Sequence, residues 1–256
     1  MIERTEMEDH ARSWGVTVEQ VRKDHLISHL LQSLGPLSGF VFFGGTALNR
    51  AFLEARRLSE DIDLYLLPDT GGGLGTILDG LLRGIGREYP DARVVDGGAR
   101  SDVHTYLLST EGVQVQLQIV AERHEHRRLP TEMFPVALRY SDLPECIPLL
   151  LPTRESFVAM KCAAFEDRAT PRDLFDLGAL EEVRAITPAA VETLRAFRGT
   201  GPVRWRYDDA MCPEPSDWSK ELAHQTGHPG EPSEVLQRVR HALTKACEWP
   251  EEADLR

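Results

Sequence analysis

The chain has 256 residues, 41% of them hydrophobic, and a formal net charge of −12. That composition excludes an intrinsically disordered chain and argues against a protein that coats nucleic acid, which would be basic as a whole. The longest apolar run, around residues 149–151, is too short to span a bilayer, and the charged start MIERTEMEDHAR lacks the apolar stretch of a secretory signal. The four cysteines, Cys146, Cys162, Cys212 and Cys247, form no C-x-x-C pair, so neither a disulfide framework nor a zinc site is expected, and a reducing cytoplasm is the expected setting.

In chain order, residues 17–34 carry apolar positions at roughly helical spacing, opened by a Thr17/Gln20 capping box. Residues 40–43 read as a strand, 46–56 as a helix after a Gly44-Gly45-Thr46 turn, and 61–67 as a second strand. The glycine-rich 69–75 lacks the Gly-Lys-Ser/Thr ending of a phosphate loop and is read as a connector. A helix is predicted over 74–89, then strands over 92–95, 103–109 and 113–120, the last two joined by a hairpin at Thr110-Glu111-Gly112. After Pro152 the pattern turns helical. One helix is predicted over 153–168, and two more start at Thr170-Pro171 and Thr187-Pro188, each with a threonine cap and a proline at the first helical position. An irregular stretch over 199–230 with a short helix near 217–224 precedes a last helix over 232–248. The expectation is an α+β protein: an α/β domain with a small mixed sheet over 1–150 and a helical region over 151–256.

The most informative segment is FVFFGGTALNRAFLEARRLSEDIDLYLL, residues 40–67. Residues two apart in a strand share a face, so Asp61 and Asp63 project together while Ile62, Leu64 and Leu66 face the core. Adjacent carboxylates repel unless a cation sits between them, and Mg²⁺ favours a few carboxylates together with substrate phosphates. A glycine turn opening a helix offers bare N–H groups to a phosphate. Together these features point to metal-dependent nucleotide transfer. The alternative for each part alone is structural: a tight strand-to-helix turn and a solvated strand edge.

Only four of the 29 basic residues are lysine, which directs attention to Lys161, on a predicted helix, as a compact cation for a phosphate; the alternative is a lysine snorkelling at a core margin. Asp173 is read as a helix cap with a surface ion pair, and Arg172 and Asp176 stand at i,i+4 spacing. The clusters Arg50/Arg56/Arg57, Arg123/Arg127/Arg128 and Arg238/Arg240/Lys245 are candidate local basic patches, each also readable as a solvated face. Histidines 104, 124, 126, 224, 228 and 241 show no metal-binding pairing, and no serine sits in a nucleophile elbow.

The segment GGTALNRAFLEARRLSEDIDLYL resembles the signature of the nucleotidyltransferase fold as written in the AbiEii/AbiGii-type toxin family, with Arg57, Ser59, Asp61 and Asp63 on its R-x-S-x-D-I-D-L positions. ESFVAMKCAAFEDRATPRDLFDL resembles the family's second signature, on which Lys161, Arg168, Arg172, Asp173 and Asp176 fall. Residues beyond about 200 match no motif. The resemblance implies a toxin paired with an antitoxin, often one with a winged-helix DNA-binding domain. It also implies transfer of NMP from an NTP to RNA, with the tRNA acceptor end as the expected target. One departure concerns the third carboxylate that many nucleotidyltransferases carry on a later strand. Here VQVQLQIV offers only Gln114, Gln116 and Gln118.

The expected mechanism places Mg²⁺ on Asp61 and Asp63 and the β/γ-phosphates on the N–H groups of Gly44, Gly45 and Thr46, with Arg57 and Ser59 beside the nucleotide. Lys161 neutralises the triphosphate, and pyrophosphate leaves. Asp176 orients a metal, the acceptor or Lys161; Ser59 touches phosphate or is modified to silence the enzyme. The alternatives are a small-molecule (antibiotic-type) or protein nucleotidyltransferase, and a catalytically silent relative that binds nucleotide or antitoxin.

Overall fold

The computed structural model describes residues 2–53, 58–67, 73–100, 102–121, 129–199, 207–223 and 230–248. The chain divides into two compact units, one built mainly on Met1–Arg123 and Thr131–Leu151, the other mainly on Pro152–Ala223 and His228–Arg256. Among the described residues no helix is long and apolar enough to cross a membrane, and all four cysteines are free thiols.

The first unit opens with α1 (Arg4–Trp14) and α2 (Val18–Leu34), followed by β1 (Phe40–Phe43), α3 (Gly44–Ala51), β2 (Asp61–Leu66) and α4 (Gly73–Ile85). It continues with β3 (Arg93–Arg100), β4 (Val103–Thr110), β5 (Val113–Ala121), β6 (Thr131–Ala137) and β7 (Cys146–Pro152). The expected capping box of α2 forms: Gln20 N–H donates to Thr17 Oγ1 (3.2 Å), and Thr17 N–H donates to Gln20 Oε1 (3.0 Å). Its apolar residues Leu26, Ile27, Leu30, Leu31 and Leu34 are buried, and the helix packs on α1, α4 and β5. A Cβ at Gly84 of α4 would lie 2.2 Å from Ser33 Oγ of α2, so the approach of these helices depends on glycine.

The main sheet is mixed, in the order β1-β2-β5-β4-β3. β2 is antiparallel to β1 and parallel to β5, and β4 is antiparallel to both β5 and β3. The β4–β5 hairpin closes with Thr110 opposite Val113, and Gly112 supplies the positive φ of +78° that its turn requires. β6 and β7 form a separate two-stranded sheet.

Four differences from the sequence-based reading belong to this unit. α1, β6 and β7 are additional elements. β3 runs past 95 to Arg100 through a bulge between Asp96 and Ala99, made possible by Gly98 at φ +92°. α3 starts at Gly44 rather than Thr46, so the two glycines form its first turn. On β2, Ile62 and Leu64 are buried as expected, but Leu66 is only half-buried while Tyr65 is buried. Tyr65 packs with Val41 and Val120, so the far end of β2 is covered on its other face as well.

The second unit is helical: α5 (Arg154–Arg168), α6 (Pro171–Glu182), α7 (Pro188–Arg198), a 3-10 turn (Asp209–Met211), α8 (Pro215–Leu222) and α9 (Pro232–Cys247). The threonine caps read from sequence are present. Thr170 Oγ1 accepts from Asp173 N and Thr187 Oγ1 from Ala190 N, with prolines at the helix starts. Its core holds Phe157, Phe165, Phe175, Leu177, Trp218, Val235 and Leu243.

Candidate active site

The chain leaves β1 at Phe43, opposite Asp63 of β2, and turns at once into α3. Gly44 makes that turn at φ +79°, a value L side chains rarely adopt. A Cβ there would fall 1.9 Å from Asp63 Oδ2 and 2.7 Å from its Cγ. The Asp63 carboxylate therefore lies directly against the first residue of α3, where a helix has N–H groups without intrahelical acceptors and the positive end of its dipole. The Thr46 hydroxyl, 2% exposed, donates to the main-chain carbonyl of Asp61. This bond locks the first turn of α3 onto the start of β2, and it commits the hydroxyl hydrogen within the protein. Asn49 Nδ2 donates to Gly45 O (2.8 Å).

Asp61 and Asp63 are both half-buried, alternating with buried Ile62 and Leu64. Their register partners on β5 are Gln116 and Gln118, so the two glutamines stand beside the aspartates on the adjoining strand. Gly44, Gly45, Thr46, Asp61 and Asp63 are thus gathered at one place. Ser59, half-buried, lies two residues before β2. Arg57 lies outside the described residues. A cleft of about 710 Å³ adjoins the start of β2 at Glu60 and is walled by Thr17, Gln20, Lys23, Thr110 and Gln114. Lys23 Nζ reaches Glu60 at 2.6 Å.

In the second unit Lys161, on α5, lies 2.7 Å from Asp176 Oδ2 and 3.3 Å from Asp173 Oδ1. Asp173 also receives Arg168 Nε (2.6 Å) and Nη2 (2.9 Å) and the Thr170 hydroxyl (2.6 Å). Both aspartates are fully buried. The reading of Asp173 as a helix cap with a surface ion pair is therefore corrected: the cap of α6 is Thr170, and the buried Asp173 carboxylate neutralises two cations from α5. Burial pushes its carboxyl pKa up, but the Arg168 hydrogen bond and the Lys161 charge outweigh this and hold it at about 2. Arg172 does not pair with Asp176 across the helix turn; its Nε lies 3.9 Å from Glu221. Two carboxylates against one ammonium and one guanidinium give a neutral cluster, the condition for burying charge.

The basic patches change character. Arg50 is only 3% exposed and is a core residue. It donates to Asp24 Oδ1 (2.8 Å), Ser28 Oγ (2.8 Å) and the carbonyl of Ala137 (3.0 Å). Arg139 Nη1 lies 3.3 Å from Asp24 Oδ1, and the Tyr140 hydroxyl donates to Asp24 Oδ2 (2.9 Å). This network, which holds α3 to α2 and β6, joins residues far apart in sequence and leaves no local pattern to read. Arg238 pairs with Glu181 and Glu182, and Arg240 with Asp209. Arg56, Arg123, Arg127 and Arg128 lie outside the described residues. A further pair, His25 and His29 on α2, was missed although its i,i+4 spacing is a readable signal.

The family described as "Nucleotidyl transferase AbiEii toxin, Type IV TA system" matches residues 29–246. MenT4, the nucleotidyltransferase toxin Rv2826c of Mycobacterium tuberculosis H37Rv, superposes with a TM-score of 0.68 at 19% identity, covering 98% of this chain and 92% of its own. At that identity the likeness is one of fold. Terminal uridylyl transferase 4 of Trypanosoma brucei, solved with bound GTP, aligns over 81% of this chain and 68% of its own at 14% identity, with a TM-score of only 0.26. Among curated protein sequences nothing matches significantly.

Proposed function

Because the chain belongs to the AbiEii family of nucleotidyltransferase toxins of toxin–antitoxin systems, we propose that it transfers NMP from an NTP to an RNA acceptor, the 3′ end of tRNA, with release of pyrophosphate. The observation that carries the site assignment is the packing of Gly44 against the Asp63 carboxylate, 1.9 Å from a would-be Cβ. It puts the donors of a helix N-terminus and the carboxylates of a strand at one point, as a triphosphate with its counter-cation requires.

Asp61 and Asp63 fit a hard divalent cation, since both are oxygen donors on one strand face. Mg²⁺ held there would supply neutralisation of the charge that builds on the phosphates during displacement. The N–H groups of Gly44, Gly45 and Thr46 bind phosphate oxygens. The Thr46 side chain acts through position, by fixing α3 to β2. Ser59 contacts the nucleotide from the approach to β2, and Arg57 has the same role by motif. By motif alone Lys161 is assigned to the charge of the triphosphate, with Asp176, its 2.7 Å partner, orienting the ammonium. An antitoxin encoded with the toxin neutralises it, and the reaction belongs in the cytoplasm, where tRNA is found.

The test incubates purified protein with total tRNA, Mg²⁺ and each α-labelled NTP in turn. Label on tRNA from one NTP is expected. Asp61→Ala is expected to reduce it by roughly 10²-fold or more, and full activity in that variant would sink the mechanism. Label on a small compound or a protein instead would move the acceptor and leave the chemistry. Absence of label with every NTP and acceptor would leave a silent relative, the reading that Gln116 and Gln118 beside the aspartates would favour.

A further inference from the structure

Among the described residues, four metal-ligating side chains converge in a group that includes neither Asp61 nor Asp63. His25 and His29 stand one turn apart on α2, their Nε2 atoms 3.2 Å from each other. His25 Nε2 is 3.2 Å from both oxygens of Asp142, and His29 Nε2 is 3.4 Å from Asp142 Oδ2. Glu88 completes the set, with donor atoms of all four residues within 4.8 Å of one another.

These separations carry a chemical meaning. Zinc bonds to imidazole and carboxylate are about 2.0–2.2 Å long, so neighbouring donors of a tetrahedral site stand roughly 3.3–3.6 Å apart. The three contacts among His25, His29 and Asp142, at 3.2, 3.2 and 3.4 Å, lie at the short end of that spacing. The remaining nitrogen of His25, Nδ1, is 2.6 Å from the Tyr89 hydroxyl. With an ion bound, Nδ1–H would donate to that hydroxyl and the Nε2 lone pair would face the shared point, the outer-shell arrangement typical of metal-bound histidine. His25 is 1% exposed, whereas Asp142 reaches solvent, so an ion has a way in. Two imidazoles and two carboxylates suit zinc and its divalent transition-metal neighbours better than magnesium.

We propose that His25, His29, Glu88 and Asp142 bind one divalent transition-metal ion, zinc by the chemistry of the donors, as a structural staple. It would tie α2 to the turn that follows α4 and to the segment between β6 and β7. The proposal is independent of the nucleotide-transfer reading, since none of these residues is assigned to that reaction.

The test uses untagged full-length protein in buffer without nucleotide. Elemental analysis is expected to find about one zinc per chain in the wild type and in Asp61→Ala, and well under half of that in His29→Ala and Asp142→Asn. A chelator is expected to lower the Tm of the first two proteins, zinc to restore it, and neither to move the Tm of the two cluster variants. Cobalt added to the stripped wild type is expected to give the visible absorption of a tetrahedral site. Should His29→Ala fail to fold, the near-isosteric Asp142→Asn and the cobalt spectrum still decide. A wild type that purifies without transition metal, whose Tm ignores both chelator and zinc, would overturn the proposal and leave a hydrogen-bonded cluster. Zinc retained by the cluster variants but lost from Asp61→Ala would also overturn it.

Discussion

Gly44 and Asp173 show how single residues constrain the candidate site. Gly44→Ala places a methyl group where Asp63 Oδ2 stands, 1.9 Å away, and forces a side chain onto φ +79°. The backbone conflict alone costs about 1–2 kcal/mol, and the displaced carboxylate adds to it. Denaturant unfolding is expected to show that loss, and labelled-NMP transfer to fall at least as far as with Asp61→Ala. A variant with wild-type turnover would separate the α3 N-terminus from the reaction. Asp173 makes a prediction about pH. Its carboxyl pKa is about 2 in the folded protein against about 3.9 when unfolded. A depressed folded value means that the stabilisation is complete above the unfolded pKa and is lost as pH falls through the folded one. The loss is expected between about pH 5 and pH 1 and amounts to about 2–3 kcal/mol. Asp173→Asn should be less stable at neutral pH and should lose less than the wild type on acidification, which thermal unfolding across that range would read.

At the scale of elements, the Asp24–Arg50 pair makes α3 part of the core of its unit. Both side chains are at most 3% exposed, and burial pulls the Arg50 pKa down while the Asp24 charge pulls it back up. Removing one partner strands the other charge, so Asp24→Ala and Arg50→Ala are each expected to cost about 3–5 kcal/mol. The double replacement should cost less than the sum of the two, a coupling that a double-mutant cycle in denaturant would measure. The same scale explains what could be read from sequence. Helices announced by local chemistry were legible: Thr17 with Gln20, Thr170 with Pro171, Thr187 with Pro188. So were β2 and the β4–β5 hairpin, whose period and turn residues are local. α1 was not, because its N-cap Glu3 makes no side-chain cap bond and Ala11 is its only buried residue. β6 and β7 carry Pro135 and Pro148 within them, residues that argue against a strand and are tolerated in a two-stranded ladder with open edges. The burial of Asp173 and Arg50 was hidden for a different reason: both depend on partners brought in by tertiary contact.

At the scale of the whole molecule, the charge of −12 bears on the acceptor. A protein that grips RNA through many phosphates loses roughly 10³–10⁵ in affinity between 50 and 200 mM salt. Among the described residues the candidate basic patches offer little for such a grip. Arg50 is buried, and Arg238 and Arg240 already hold Glu181, Glu182 and Asp209. An enzyme acting on one end of an RNA needs only brief contact with the terminal nucleotides, and a mildly repulsive surface also lets the modified product leave. With the proposed tRNA acceptor, the KM is therefore expected to rise by less than about tenfold over that salt range, the slope of one or two phosphate contacts rather than six to ten. Initial rates at graded salt and fixed NTP would measure it. A steep slope would reveal a basic surface that the described ion pairs do not predict. A shallow slope together with loss of labelling in Asp61→Ala would fit a toxin that recognises the end of its acceptor rather than its length.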